Sequence, residues 1–161
     1  MASVYLILGG NLGDRFCYME QARVSISERI GAIRKFSSFY ETEPWGFSHD
    51  QLFLNQVFEV DAKLNPFEML ECIKSIELNL GRVRNKDRYS ARTIDIDILF
   101  YDDLAIVTPA LTIPHPEMTK RRFVLEPLAE IASEIIHPVL KKTIRQLLLD
   151  CEDLCKVYKV T

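Results

Sequence analysis

No stretch of this sequence stays apolar long enough to span a bilayer, which takes about 20 consecutive residues. Met1 to Gly10 carry an apolar strand with neither a charged leader nor a cleavage site. Basic charge is not in excess either. The 20 Lys and Arg residues face 23 Asp and Glu, a formal net charge of −3, whereas dedicated nucleic-acid-binding domains carry a positive surplus. Cysteine is sparse and wrongly spaced for zinc: of Cys17, Cys72, Cys151 and Cys155 only the last two are close, at i, i+4. They read as reduced thiols acting as small hydrophobes. Internal repeats, low-complexity tracts and interdomain linkers are missing too. The glycine turn Gly9-Gly10-Asn11-Leu12-Gly13 lacks both the Lys-Ser/Thr ending of a Walker loop and the dinucleotide glycine spacing, so it reads as a structural turn. What remains is the expectation of a soluble cytoplasmic protein with no membrane or nucleic-acid partner.

At 161 residues, 48% apolar and 27% charged, the chain has the balance of one ordinary globular domain, residues 1–161, able to bury a core without staples. Val4 to Leu8 form an apolar strand. Asp14 then caps a helix with Met19, Ala22, Ile26 and Ile30 on one face, stopped at Gly31. Ile33 to Glu43 and Leu52 to Ala62 read as two strands separated by Pro44-Trp45-Gly46-Phe47, where Trp45 is either a lid over a flat ligand or a core plug. Asn65-Pro66-Phe67-Glu68 supplies a cap, a first-turn proline and a reciprocal Glu for a second helix. Met69, Ile73, Ile76 and Leu80 face inward along it, and Gly81 ends it. After a strand at 94–98 come a turn at Asp102-Asp103, a short strand from Leu104 to Val107, a rigid connector from Thr112 to Pro116, and helices at Arg122 to Ala132 and Thr143 to Asp150. The order βαββαβ with C-terminal additions predicts an α+β domain of ferredoxin-like type, with helices on one face of an antiparallel sheet and the other left for loops and substrate.

The chemistry concentrates in Ile94-Asp95-Ile96-Asp97-Ile98. Strand alternation puts the isoleucines on one face and both aspartates on the other, with Cα atoms about 7 Å apart. Aspartate is a poor strand former, and paired carboxylates repel unless a cation joins them. Two hard oxygen donors suit Mg²⁺. Immediately upstream, Arg82, Arg84, Lys86, Arg88 and Arg92 stand against a single Asp87. Guanidinium forks that grip phosphate, leading into a pair of magnesium-binding acids, are what a nucleoside triphosphate demands. Phosphoryl chemistry is the function this juxtaposition predicts.

Taken together, Leu8-Gly9-Gly10-Asn11-Leu12-Gly13-Asp14, Phe53-Leu54-Asn55, Gly81-Arg82, Arg92-Thr93-Ile94-Asp95-Ile96-Asp97 and Pro114-His115 followed by Arg121 and Phe123 resemble the 6-hydroxymethyl-7,8-dihydropterin pyrophosphokinase family of folate synthesis, over nearly the whole chain. The resemblance implies transfer of the pyrophosphoryl group of ATP, as one unit, to the pterin hydroxymethyl oxygen, with release of AMP. It implies that Asp95 and Asp97 hold two Mg²⁺ ions and that Arg82 and Arg92 bind and neutralise the phosphates, with Arg84 and Arg88 placed to assist from the same loop. It further assigns Thr112, His115, Arg121 and the backbone around Ile98 to ATP. To the pterin it assigns Asn55, the ring faces of Phe53 and Phe123, Thr42 and the backbone near Trp45. A monomer is implied, with ATP and the pterin as its small-molecule partners. The chain departs from the family pattern at Ser90-Ala91 (proline before the arginine), Tyr89 (tryptophan), Gly10 (serine), Phe53 (tyrosine in some members) and Ala110 (arginine in some members). Two other classes compete. A Mg²⁺-dependent phosphohydrolase has no need of a heterocycle slot, and an RNA-binding ferredoxin-like module lacks here both its aromatic pattern and its charge.

Overall fold

The computed structural model describes residues 1–43, 51–81 and 93–160. In chain order the elements are β1 (Ala2–Gly10), α1 (Arg15–Arg29), β2 (Gly31–Phe36), β3 (Tyr40–Thr42), β4 (Phe53–Ala62), α2 (Pro66–Asn79), β5 (Asp95–Tyr101), β6 (Ile106–Val107), β7 (Thr112–Ile113), a 3-10 turn (Met118–Lys120), α3 (Arg122–Ala132), α4 (Ile144–Asp150) and β8 (Val157–Lys159). The helix starts follow their caps. Asp14 accepts the Cys17 N–H at 3.1 Å. Asn65 and Glu68 close a reciprocal box at 2.9 and 3.0 Å, with Pro66 opening the helix. Thr143 accepts from Gln146 N at 3.2 Å to start α4.

The sheet is antiparallel, six-stranded, in the order β5-β1-β4-β3-β8, with β2 also paired to β4. β1 is central. Its Val4, Leu6 and Leu8 join Leu54, Phe58, Val60, Ile94, Ile96 and Ile98 under the inward stripes of α1 and α2. The expectation that helices cover only one face is corrected here. Tyr5, Ile7, Val57, Leu99 and Phe100 on the opposite face are buried beneath Val124, Leu125 and Leu128 of α3 and Ile144 and Leu147 of α4. The sequence predicts those two helices, but the face they cover is settled only by packing.

Three smaller differences have local causes. The strand predicted from Ile33 to Glu43 is two strands, because buried Ser37 breaks the ladder. Its Oγ accepts the Val57 N–H at 3.0 Å, its N–H donates to the Val57 carbonyl at 2.9 Å, and the Gln56 amide takes its carbonyl at 2.8 Å. Thr112–Ile113, read as a connector, pairs with Ile106–Val107 as a short hairpin, and the following Ile113–Pro114 bond is cis. β8 is not announced by the sequence: its side chains are half or fully exposed, so no hydrophobic alternation marks it, yet it extends the sheet by pairing Val157–Lys159 with Tyr40–Thr42.

Candidate active site

α3 and α4 cover one end of the second sheet face, and the candidate residues gather at the other. Asp95 lies opposite Gly9 and Asp97 opposite Ile7, on the side of β5 away from α1 and α2, while Ile94, Ile96 and Ile98 lock the strand into the α1/α2 core. The Asp97 side chain keeps 39% exposure. β5 is the last strand of the sheet among the described residues, so its outer backbone groups look for partners other than a strand. One of them, the N–H of Ile96 between the two aspartates, donates to Glu77 Oε2 at 2.9 Å. Glu77 comes from the buried stripe of α2 and is only 3% exposed. A carboxylate is costly to bury unless it receives strong hydrogen bonds, and this one latches the acidic strand to α2. Sequence reasoning missed it. The available signal was an acid placed beside Ile73, Ile76 and Leu80 on an otherwise apolar helix face.

His115 reaches Asp97 from the connector after β7. Its N–H donates to the Leu99 carbonyl at 3.1 Å, tying the connector to β5. Its Nδ1 accepts the Glu117 N–H at 3.1 Å, which leaves the proton of a neutral ring on Nε2, 3.9 Å from Asp97 Oδ2. Thr112 is half-exposed on β7, just before the cis bond. Arg121 sits between the 3-10 turn and α3, its guanidinium carbon 5.8 Å from the ring centre of Phe123. Phe123 itself packs partly against the core beneath α3. The Ile98 side chain is 5% exposed within the α1/α2 core, so only its backbone is available to a ligand.

Asn55, Thr42 and Phe53 form the other half of the cluster. Asn55 faces Gly9 across β1 and Tyr40 across β3, and Thr42 faces Phe53. Asn55 Nδ2 donates to Thr42 Oγ1 at 3.3 Å, with both residues nearly fully buried. Asp95, Gly9 and Asn55 are therefore one cross-strand row, which sets Asp95 and Asn55 two strand spacings apart, about 10 Å. Tyr40, at the end of that row, donates its hydroxyl to Glu130 Oε1 of α3 at 2.6 Å, and Ser38 N donates to Oε2 at 2.8 Å. Burial, and then this contact, push the Tyr40 phenol up. For Glu130 the hydrogen bonds from Tyr40 and Ser38 outweigh burial and hold the carboxyl below its ordinary range. Arg82, Arg84, Arg88, Arg92 and Trp45 lie outside the described residues.

Among the described residues no group of three or more His, Cys, Asp and Glu could hold a metal ion. A pair of half-buried carboxylates nevertheless fits Mg²⁺, which binds through one or two carboxylates and completes its shell with water and phosphate oxygens. The donor set suits an ion that arrives with a nucleotide.

Comparison with known proteins agrees with this chemistry. The family model described as 7,8-dihydro-6-hydroxymethylpterin-pyrophosphokinase (HPPK) matches residues 5–133. The 2-amino-4-hydroxy-6-hydroxymethyldihydropteridine pyrophosphokinase of Aquifex aeolicus is 42% identical over 146 residues, covering 91% of this chain and 90% of that protein. The protein of the same name from Bacillus subtilis is 44% identical over 132 residues, 81% of this chain and 78% of that one. Among solved structures, the wild-type HPPK-DHPS of Plasmodium falciparum superposes with a TM-score of 0.75 at 20% identity over 92% of this chain, which spans 44% of that longer one. Since the match runs from the first strand through α3 and takes in both aspartates, Asn55 and His115, the chain belongs to the 7,8-dihydro-6-hydroxymethylpterin-pyrophosphokinase family.

Proposed function

We propose that the end of the sheet carrying Asp95, Asp97 and Asn55 is where this chain transfers the pyrophosphoryl group of ATP to the hydroxymethyl oxygen of 6-hydroxymethyl-7,8-dihydropterin, a step of folate biosynthesis. The alcohol oxygen gives up its proton to solvent and forms a bond to the β-phosphorus, the bond from the β-phosphorus to the oxygen it shares with the α-phosphate breaks, and AMP leaves with that oxygen. The observation that carries this reading is the row in which Asp95 and the buried Asn55 amide flank Gly9 on the sheet face opposite α1 and α2. It sets a hard-cation site beside a hydrogen-bonding edge suited to a flat heterocycle.

Asp95 and Asp97 hold two Mg²⁺ ions brought with ATP, which when bound neutralise phosphate oxygens and lower the pKa of the attacking alcohol. Arg82 and Arg92 grip the phosphates and offset charge developing on the β-phosphorus oxygens as the bridging bond breaks, with Arg84 assisting. His115 Nε2–H, Thr112, Arg121 and the Ile98 backbone seat the nucleotide. On the other side, Asn55 offers both amide donors and its carbonyl to the pterin edge, anchored by Thr42. Phe53 and Phe123 stack on the ring faces, and the backbone near Trp45 adds contacts. Holding both substrates on one rigid sheet converts a bimolecular reaction into an aligned displacement.

The strand order β5-β1-β4 with β2 and β3 beside β4, and helices between, supports a ferredoxin-like βαββαβ core in a single domain of residues 1–161. We read the protein as a cytoplasmic monomer; among the described residues no helix is long and apolar enough to cross a membrane. Nucleotide product analysis tests the activity. AMP appearing only when reduced hydroxymethylpterin and Mg²⁺ are both present is the expected result. ADP or phosphate released without pterin would replace this reading with hydrolysis.

A further inference from the structure

Gly9 lies inside β1, where glycine is a poor choice: it adds no side chain to pack and loses more conformational freedom on folding than any other residue. The backbone does not require it, since among the described residues the positive-φ glycines are Gly13 and Gly81. Space does. A Cβ built at Gly9 falls 2.4 Å from Asn55 Oδ1 and 3.5 Å from its Cγ, whereas the nearest backbone atom, the Leu54 carbonyl oxygen, stays at 3.6 Å. The Asn55 amide thus lies directly over the bare Cα of the neighbouring strand, held from its other side by Thr42 Oγ1 at 3.3 Å. The main chain of β4 is far enough away to tolerate a methyl group. The amide is not.

We propose that Gly9 is a positioning residue for substrate recognition: its missing side chain seats the Asn55 amide and sets the angle at which that amide meets the pterin edge. The inference rests on the assignment of Asn55 to the pterin. Any larger residue at position 9 pushes the amide off Thr42 and out over the sheet. A polar group displaced from its productive geometry forfeits its hydrogen bonds to the heterocycle while still occupying the site. Because the clash is with the end of a side chain and not with backbone, the fold survives the change. Phosphate binding, which draws on Asp95, Asp97 and the arginines, does not pass through Asn55.

The test is a double-mutant cycle on the full chain, comparing wild type, Gly9→Ala, Asn55→Ala and the double variant. Pterin affinity is read with Mg²⁺ and a saturating non-hydrolysable ATP analogue, the analogue's own affinity is read separately, and Tm is recorded for all four. Each single change is expected to weaken pterin binding about tenfold, the size of one lost hydrogen-bonded pair. The double variant should be no weaker than Asn55→Ala, and analogue affinity should stay within about twofold throughout. Wild-type pterin affinity in Gly9→Ala, together with a loss in Asn55→Ala, overturns the proposal alone, as does full additivity or a parallel fall in analogue affinity. Early melting caused by Gly9→Ala both in the wild-type background and on top of Asn55→Ala makes the glycine a packing residue and also overturns it. Unchanged pterin affinity in Asn55→Ala overturns the assignment of Asn55 itself, and the role of Gly9 with it.

Discussion

Two residues along each of three strands separate core from active site on the second face of the sheet. β1 passes from Ile7 to Gly9, β4 from Val57 to Asn55, and β5 from Leu99 to Asp97. At the first member of each pair the face is sealed by α3 and α4, and every side chain is apolar and buried. At the second member the strands continue in the same sheet, but the side chains are small or polar. The difference teaches that the sheet provides one rigid lattice for both ends, and that the extent of the helical cover decides which chemistry the lattice serves. Apolar groups are stabilised only where something removes them from water, and carboxylates are serviceable only where water and ions can reach them.

The strongest way to break this contrast is Asp97→Ala. If the polar end acts through its carboxylates, turnover measured as AMP formation falls about 10³-fold or more, while Tm barely moves because the side chain is partly exposed and outside the core. Activity retained at ordinary Mg²⁺ would remove the distinction. Arg92→Ala comes next, with an expected cost of about 3 kcal/mol on the chemical step in single-turnover experiments. A weaker ATP affinity with an unchanged single-turnover rate would assign that arginine to binding alone.

The covered end should respond in the opposite sense. Ile144 of α4 is fully buried against the second core. Ile144→Ala should cost about 2 kcal/mol of stability in urea titrations, the low end for such truncations because a short helix can relax into the gap. The kcat of the folded fraction should stay at the wild-type level. A matching loss of kcat would mean that the two ends are not separable.

The smallest effect probes the joint between them, where Glu130 of α3 receives Tyr40 and Ser38 beside the Asn55 row. Its carboxyl titrates below its unfolded value of 4.5. The ionised form is therefore favoured by folding, and its contribution is complete above that value and fades as pH falls through the lower folded value. Glu130→Gln should lower stability near neutral pH by about 1 kcal/mol and flatten the acid side of the Tm profile. A profile with unchanged acid slope would show that this joint carries no charge-dependent stability.

Much of the first face was legible from residues alone. Asp14 and the Asn65/Glu68 box start their helices where expected, and the stripes on α1 and α2 face the core. These are local or periodic signals, readable within a turn or two of chain. The alternation in β5 likewise gave the orientation of its isoleucines and aspartates. Ser37 was less readable, because a hydroxyl replacing a ladder bond announces itself only once Val57 is alongside. β8 had no apolar pattern to betray it, and Glu77 looked like one more helix acid until Ile96 N–H stood over it.

The sequence by itself determined the elements, their inward faces and the chemical kinds of residue available: hard oxygen donors, guanidinium groups, an amide and aromatic rings. Only the tertiary structure decided that His115 approaches Asp97, that Asp95 and Asn55 share a row, and that α3 and α4 seal the neighbouring part of the same sheet face. Short-range patterning fixes where a side chain points relative to its own strand or helix. Distances between elements come from register and packing, which the whole chain settles at once.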